Sequence, residues 1–298
     1  MTSHSKQTLL NFIVVVFTAI SSYQFGAYSY KTNLWPFESP QETANTSVSP
    51  RTINKTAPAL PIGDYDEFGR LISYPGKKQI TCPEQNKDMA VILAIGQSNS
   101  ANSGEKKFST QHAEKVMNYF NGKCYIASSP LLGAGGYQGE FITPLADRLV
   151  ESGAYKSVII ISSGIGGAPI SRWQRDGDLN EMLLATIRNI RGKYKITEII
   201  WHQGEADFLI YTTAKNYVKS FHSMLETLSE NKVKAPVFIS IATKCIQAGS
   251  FTWKADNPTA IGQRQLVDNK RIFLGVDTDA ILTKLDRRSP ECHFSESG

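Results

Sequence analysis

The sequence contains few of the features that mark metal-binding, nucleic-acid-binding or repeat proteins. Its 298 residues include only four cysteines and five histidines, and no two cysteines form a CxxC pair, so a zinc site is not expected. No run of Lys or Arg exceeds two residues and the net charge is only +5, which argues against nucleic acid as a partner. No internal repeat is visible. Because 41% of the residues are hydrophobic, one domain with an ordinary apolar core is expected.

The N-terminal region contains a long stretch without charge. No charged residue occurs from Thr8 to Tyr30, and about 20 apolar residues are enough to cross a bilayer. The most apolar part, Leu9 to Ile20, is shorter, and the polar residues after it are typical of a cleavable signal peptide. We therefore predict that residues 1–30 are a signal anchor, with a cleaved signal peptide as the alternative. Either would place the rest of the chain in the periplasm, a lumen or the extracellular space, and the first would make the membrane a partner.

A change in composition separates this segment from the main domain. Residues 31–63 are rich in Ser, Thr, Asn and Pro, which predicts an extended linker. In residues 64–298, apolar runs alternate with amphipathic stretches, a pattern typical of an α/β fold with a largely parallel sheet. The four cysteines lie in this exported part of the chain, where an even number is compatible with disulfides.

Five continuous apolar runs predict strands that are buried on both faces. These runs are Met89 to Gly96, Lys123 to Ser128, Ser157 to Gly164, Thr197 to Gly204 and Pro236 to Lys244. Helical periodicity predicts helices at Thr143 to Ser152, Leu179 to Tyr194 and Ala214 to Asn231. Together they predict a three-layer α/β/α sandwich with a mainly parallel five-stranded sheet. In such a fold the functional residues lie at the carboxyl ends of the strands.

Each predicted strand runs into a polar loop that contains glycine or chemically active side chains. The first loop, "GQSNSANSGE", contains Ser98, which is either a nucleophile or an ordinary serine in the turn that ends the strand. The fourth, "WHQGEAD", offers the Gln203 amide and the carboxylates of Glu205 and Asp207. Acyl transfer needs a nucleophile, a base and donors for a developing oxyanion. Among the histidines, His293 follows the last strand and is the candidate base; the alternative is a loop histidine in a frayed C-terminus.

Five motifs in order resemble the conserved blocks of a known enzyme superfamily. They are "GQSNSAN", "PLLGAGGYQGEFITPLADRL", "GIGGAPISRW", "WHQGEAD" and "CHFSESG". They resemble the SGNH/GDSL hydrolases, and more narrowly the sialate O-acetylesterase-like branch that includes carbohydrate esterase family 6. The resemblance extends from about residue 81 to the C-terminus. It implies a flavodoxin-like fold and a serine esterase that removes acetyl groups from a carbohydrate without a metal or an organic cofactor.

The resemblance also implies roles for individual residues. Ser98 matches the nucleophile and His293 the general base. The backbone N–H of Ser98, that of Gly139 (with Gly136 as the alternative) and the Gln203 amide match the oxyanion donors. Glu205 and Asp207 are expected mainly to hold neighbouring loops, and Tyr137 and Arg172 are further candidates for substrate contact. The expected substrate-binding residues are Gln97, Asn99, Gly167, Trp173 and Glu205.

One position departs from the pattern of the family. The family places an aspartate three residues before the catalytic histidine, where this chain has Pro290. Glu291 is expected to take that role, with Asp286 as a more remote carboxylate, or the site works as a Ser/His dyad. This departure leaves a catalytically silent glycan-binding protein as an alternative function. A second alternative is a polysaccharide O-acetyltransferase that uses the same serine chemistry.

The positions of the cysteines in the implied fold suggest how they pair. Cys82 and Cys124 are expected near the amino edge of the sheet, and Cys245 and Cys292 near its carboxyl edge. Of the three possible connectivities, Cys82 with Cys124 and Cys245 with Cys292 is the most economical. The second bond would tether the loop that carries His293.

Overall fold

The computed structural model describes residues 63–245, 253–288 and 292–298. The predicted signal segment, residues 1–30, lies outside the described residues, as do all but the last residue of the predicted linker and both Pro290 and Glu291. Within the described ranges, no helix is long and apolar enough to cross a membrane.

The centre of the fold is an eight-stranded, mostly parallel sheet, and a small hairpin of β1 (Asp64–Tyr65) and β2 (Leu71–Ser73) precedes it. The strands of the large sheet are β3 (Gln79–Ile80), β4 (Met89–Gly96), β5 (Val116–Phe120), β6 (Lys123–Ile126), β7 (Ser157–Ser162), β8 (Glu198–His202), β9 (Val237–Ile241) and β10 (Ile272–Asp277). Their order across the sheet is β10-β9-β8-β4-β7-β5-β6-β3. β4 pairs in parallel with both β7 and β8, so its residues are buried along its whole length.

The prediction of five strands is therefore wrong in number, although all five predicted strands are present. β3 has only two residues, too few to give a pattern. β5 contains Asn118, a polar residue in a fully buried strand; its side chain accepts from Leu132 N (2.8 Å) and donates to Leu132 O (3.2 Å). β10 lies at the edge of the sheet and is largely exposed, although residues 272–276 form a continuous apolar run that could have revealed it.

β6, which was expected to be parallel, is the returning strand of a hairpin. It pairs antiparallel with β5, which itself runs parallel to β7. The turn between β5 and β6 is Asn121-Gly122, with φ of 45° and 80°, and Asn-Gly is a strong signal for a tight hairpin turn. This dipeptide could have revealed β5 from the sequence.

Helices cover both faces of the sheet. They are α1 (Ile142–Glu151), α2 (Asp178–Ile190), α3 (Glu205–Leu209), α4 (Ala214–Glu230), α5 (Pro258–Leu266) and α6 (Thr278–Ile281), and 3₁₀ turns lie at Ser98–Ser100 and Ile170–Arg172. Alternate residues of β4 point to opposite faces: Val91 and Leu93 pack in the cluster that contains residues of α2 and α4, whereas Ala90 and Ile92 pack in the cluster that contains residues of α1. The expected α/β/α sandwich is thus present, and α1, α2 and α4 correspond to the three predicted helices.

The two disulfides join Cys82 to Cys124 and Cys245 to Cys292, as expected. The positional reason for the first was wrong, because Cys124 lies on the antiparallel strand β6, whose start points towards the carboxyl ends of the parallel strands. The second links the residue that precedes His293 to the segment after β9. Disulfides of this kind are typical of extracytoplasmic or secreted proteins.

Candidate active site

A sharp turn after β4 places Ser98 at the carboxyl edge of the sheet. Gly96 has φ of +135°, and a Cβ at this position would lie 2.1 Å from the carbonyl oxygen of His202, so only glycine fits. The Gln97 N–H then donates to the same His202 carbonyl (3.0 Å), and the 3₁₀ turn begins. Ser98 is 7% exposed, and its hydroxyl forms no hydrogen bond within the described part of the chain. The turn therefore presents a free hydroxyl.

Gln97, which was expected to contact substrate, instead joins the loops after β4 and β8. Its Oε1 accepts from Gly204 N (3.3 Å), from Ala206 N (3.0 Å) and from Gln203 Nε2 (3.3 Å). The Gln97 side chain is thereby held at the start of α3 and is buried. These bonds hold Gln97, the residue that precedes Ser98, in place, and its side chain does not face solvent.

Asn99 connects the Ser98 turn to the loop that carries His293. Its Nδ2 donates to Cys292 O (3.0 Å) and its Oδ1 accepts from Phe294 N (3.3 Å). Asn99 therefore binds the residues on both sides of His293 in sequence. The Arg288 N–H donates to the carbonyl of His293 itself (2.9 Å). These bonds bring the candidate base beside the turn of the candidate nucleophile.

The surroundings of His293 keep its imidazole neutral. Burial lowers the pKa of His293 below its usual value, the positive charge of Arg288 lowers it further, and the negative charge of Glu205 acts in the opposite direction. A neutral imidazole is the form that a general base requires. Within the described residues no hydrogen bond joins this imidazole to the Ser98 hydroxyl, and such bonds are often long before substrate binds.

Glu205 is the buried carboxylate of this site. It is 1% exposed, its Oε1 accepts from Asn99 Nδ2 (2.6 Å), and His202 Nε2 lies 3.6 Å from the same oxygen. Burial raises the pKa of Glu205, but His202 and the donated hydrogen bonds outweigh burial, so the pKa lies below its usual value. Glu205 is therefore ionised at neutral pH. The Asp286 carboxylate is bound elsewhere, to Thr283 N (2.8 Å) and Oγ1 (2.7 Å).

Two of the three expected oxyanion donors are already occupied. The Gly139 N–H donates to Gly104 O (2.9 Å), and a Cβ on Gly139 would lie 1.6 Å from Lys106 O. The alternative, Gly136, lies beside Asn102, and its own N–H donates to no acceptor within the described residues. The Gln203 amide is fully buried and donates to Ala168 O (3.1 Å) and to the Asp207 carboxylate. Neither the Gly139 N–H nor the Gln203 amide is free to bind an oxyanion in this structure.

The loop after β7 offers unoccupied donors instead. Gly164 packs so closely on the Ser98–Ser100 turn that a Cβ there would lie 2.6 Å from Ser100 Oγ. The next glycines, Gly166 and Gly167, are exposed, and nothing lies within 4 Å of the Cβ position of either. Their N–H groups make no hydrogen bond within the described residues. These two N–H groups and that of Ser98 are therefore among the donors that have no acceptor in the described part of the chain.

The other expected substrate contacts divide into buried and exposed residues. Trp173 is fully buried and packs edge-on against Trp201, with ring centroids 5.7 Å apart. Arg172 is paired with Asp178 (2.6 Å). Tyr137, in contrast, is 53% exposed. Of the five substrate-binding residues expected from the sequence, only Gly167 faces solvent; Gln97, Asn99, Trp173 and Glu205 hold the frame of the site.

The sequence interpretation missed two arginines that hold the His293 loop. Arg287 is 6% exposed and donates to Lys244 O (3.1 Å) and Cys292 O (3.2 Å). Arg288 donates to Ser103 O (2.7 Å). The acceptors on Lys244 and Ser103 are backbone carbonyls from distant parts of the chain, so no motif marks these arginines. The adjacent arginines shortly before His293 are the one visible signal.

Cavities occur at both edges of the sheet. One of about 690 Å³ lies at the amino edge, where Tyr194 and Thr197 precede β8 and Ala235 precedes β9, on the side of the sheet away from Ser98. Another, of about 460 Å³, lies between the loops after β7 and β8. Within the described residues, no group of three or more His, Cys, Asp or Glu side chains could hold a metal ion.

Comparison with known proteins identifies the family. A family model described as carbohydrate esterase, sialic acid-specific acetylesterase, matches residues 88–298. No curated protein is significantly similar to this chain. A solved protein from Arabidopsis thaliana is 16% identical, with a TM-score of 0.51 over 70% of this chain and 91% of that one, and this likeness supports the fold alone.

Two further solved structures are less similar. NanS is 18% identical, with a TM-score of 0.48 over 70% of this chain and 92% of that one. A carbohydrate acetylesterase from Xanthomonas citri is 16% identical, with a TM-score of 0.45 over 70% of this chain and 52% of that one. Since the family model spans most of the chain, including Ser98 and His293, the chain belongs to the sialic acid-specific acetylesterase family of carbohydrate esterases and is a carboxylic ester hydrolase of the SGNH type.

Proposed function

We propose that this protein removes O-acetyl groups from an exported or extracellular carbohydrate, with Ser98 as nucleophile and His293 as general base. The observation that carries this proposal is the Asn99 side chain, which follows Ser98 and hydrogen-bonds the backbone on both sides of His293. Membership of an acetylesterase family supports the reaction, and the two disulfides support the location.

The chemistry proceeds in two steps. The neutral imidazole of His293 takes the proton of the Ser98 hydroxyl while Oγ attacks the acetyl carbonyl carbon. The bond from that carbon to the sugar oxygen breaks, and the sugar oxygen leaves with the proton from His293. Water then attacks the acetyl-serine, gives a proton to His293, and releases acetate, after which the proton returns to Ser98. No metal or organic cofactor takes part in this scheme.

The oxyanion of each tetrahedral intermediate binds to backbone donors. We assign this role to the N–H groups of Ser98, Gly166 and Gly167, because they have no acceptor among the residues that the structure describes and the last two lie in the loop that packs on the Ser98 turn. Donors that are aimed in advance at a developing charge stabilise a transition state strongly. Gln203 supports the site indirectly by holding Ala168 and Asp207.

Two carboxylates are candidates to stabilise the charged imidazole in place of the aspartate that the family carries at position 290. Glu291 neighbours His293 in sequence and lies outside the described residues. Glu205 is ionised, and its negative charge raises the pKa of His293. We assign the main role to Glu205, because its charge acts on His293 from a buried position where water screens it little.

Acetate release tests this proposal directly. The full chain, Ser98→Ala and His293→Ala are incubated with p-nitrophenyl acetate and with a panel of O-acetylated glycans, and circular dichroism checks that each variant folds. We expect both variants to lose hydrolysis by at least about 100-fold. Activity of Ser98→Ala at the wild-type level would refute the mechanism. Labelling of Ser98 by a fluorophosphonate argues against a silent glycan-binding protein, and transfer of acetyl to a second glycan would identify an acetyltransferase.

A further inference from the structure

A polar cavity of about 460 Å³ opens at the carboxyl edge of the sheet, and neither the nucleophile nor the base uses it. Its walls come from three segments: the loop after β7, the loop after α3, and the first turns of α4. The polar residues that line it include Ser171, Gln174, Thr212, Thr213, Asn216 and Lys219. Small-molecule sites are concave and contain a few convergent polar groups that orient the ligand.

This cavity borders the catalytic loops. Asp207 forms part of its lining, and the Asp207 carboxylate accepts from Ile170 N (2.7 Å) and from Gln203 Nε2. The same Gln203 nitrogen lies 3.3 Å from Gln97 Oε1, and Gln97 directly precedes Ser98. Along this path, the Gln203 and Asp207 side chains link the cavity to the nucleophile turn.

Several polar groups of the lining have no partner in the part of the chain that the structure describes. Within the described residues, neither the Asn216 side-chain amide nor the Lys219 ammonium makes a hydrogen bond. Gln174 accepts from Ser220 Oγ (2.7 Å) through its Oε1, and its side-chain NH₂ group donates to no acceptor among the described residues. The acid in the lining, Asp207, accepts two donors at its Oδ2, whereas its buried Oδ1 has no partner among the described residues, so the lining has several spare donors and one spare acceptor.

Apolar surface adjoins these donors. Ile210 and Tyr211 also line the cavity and are 60% and 66% exposed. A sugar ring has hydroxyl groups on its rim and C–H groups on its faces. Amide and ammonium donors beside an exposed aromatic ring match both parts of such a molecule.

We propose that this cavity is a second sugar-binding subsite, which holds the sugar unit next to the acetylated one. The enzyme would then act on an oligosaccharide or a polysaccharide in preference to a free acetylated monosaccharide. This inference rests on the proposed esterase function, and the experiment separates the two.

Two lysines on α4 give a matched pair of variants. Lys219 lines the cavity, whereas Lys215 is exposed on the same helix and does not line it. The full chain, Lys219→Ala, Asn216→Ala and the control Lys215→Ala are assayed with p-nitrophenyl acetate. They are also assayed with three O-acetylated sugars, namely xylose, N-acetylglucosamine and sialic acid. Each O-acetylated sugar is supplied both as the free monosaccharide and as a unit of an oligosaccharide.

We expect the wild type to prefer an oligosaccharide over its own monosaccharide. For that oligosaccharide, Lys219→Ala and Asn216→Ala should raise KM about fivefold each, since each loses about one hydrogen bond to the substrate. Hydrolysis of p-nitrophenyl acetate should not change in either variant, and Lys215→Ala should match the wild type throughout. Equal hydrolysis of monosaccharides and oligosaccharides by the wild type, or equal KM changes for both, would overturn the subsite.

If the wild type hydrolyses none of these esters, the esterase proposal is overturned and the cavity is tested by direct binding. Titration calorimetry of the same oligosaccharides with the full chain then measures binding without hydrolysis. Binding that weakens in Lys219→Ala and not in Lys215→Ala would support the subsite, whereas no binding, or binding that both variants leave unchanged, would overturn it.

Discussion

Replacing Asn99 by alanine should lower both the stability and the turnover of the enzyme. The change removes two hydrogen bonds to backbone groups around His293 and one to the ionised Glu205. A bond to a neutral group contributes about 1 kcal/mol and one to a charged group about 2 kcal/mol, so the loss is about 4 kcal/mol. For a domain of this size that corresponds to a fall in Tm of about 8–16 °C.

The effect on turnover follows from the position of His293. Without Asn99, the backbone on both sides of the imidazole loses its link to the Ser98 turn, and a misplacement of about 1 Å can cost about 100-fold in rate. Calorimetry measures Tm, and hydrolysis of p-nitrophenyl acetate at a temperature where the variant is folded measures kcat. The control is Asn189→Ala, an exposed asparagine on α2 whose side chain makes no hydrogen bond within the described residues. Wild-type Tm and kcat in Asn99→Ala would refute this reasoning.

The variant Asn99→Asp tests the contact between residue 99 and Glu205 through the direction in which stability changes with pH. Aspartate keeps an acceptor for Phe294 N but replaces a donor with a carboxylate oxygen, at a position 2.6 Å from Glu205 Oε1. Two buried carboxylates this close share a proton, so one pKa is raised in the folded state. The folded variant then binds more protons than the unfolded chain, and its stability should increase as the pH falls from 7 towards about 5. If the variant instead loses stability relative to the wild type as the pH falls over that range, residue 99 does not contact an ionised Glu205.

Two further results are expected from other parts of the site. Because burial and Arg288 lower the pKa of His293, the acid limb of the pH profile of kcat/KM should have its midpoint below about 6.5. Glu205→Gln should move that midpoint to still lower pH, since the Glu205 charge raises the pKa of His293. A shift to higher pH would contradict this role of Glu205. The two disulfides should differ in function. Either disulfide can be removed by replacing both of its cysteines with serine. Because the two bonds close loops of similar length, each double replacement should lower the free energy of unfolding by about 4 kcal/mol. Only the loss of Cys245–Cys292 should also lower kcat for p-nitrophenyl acetate; equal kcat values in the two variants would show that this bond does not position His293.

Much of the architecture was predictable because it depends on local pattern. The central strand β4 was predicted with its observed ends, since its eight residues are all apolar or small and are buried on both faces. Two of the strands that the prediction missed lack this pattern: β3 has only two residues, and β5 carries Asn118, which is satisfied by the backbone of Leu132. The edge strand β10 has an apolar run over residues 272–276 and could have been predicted. A buried polar residue is acceptable when its partners are present, and the sequence does not display those partners.

The sequence by itself determined the α/β/α sandwich, the motifs of the family and the position of Ser98 in the turn after β4. The disulfide pairing was predicted correctly, but for the first bond the reason was wrong, because the direction of β6 is set by the assembled sheet. Tertiary structure alone decided which groups of the site are free. The Gly139 N–H and the Gln203 amide have the right chemistry for an oxyanion donor, yet Gly104, Ala168 and the Asp207 carboxylate already occupy them. A hydrogen-bond donor can serve a substrate only if no protein acceptor satisfies it first. Acceptors contributed by loops far apart in the chain meet these donors only when the sheet is assembled. For the same reason Asn99 can bind the backbone on both sides of His293, although the bonded residues are 193 and 195 positions away in sequence.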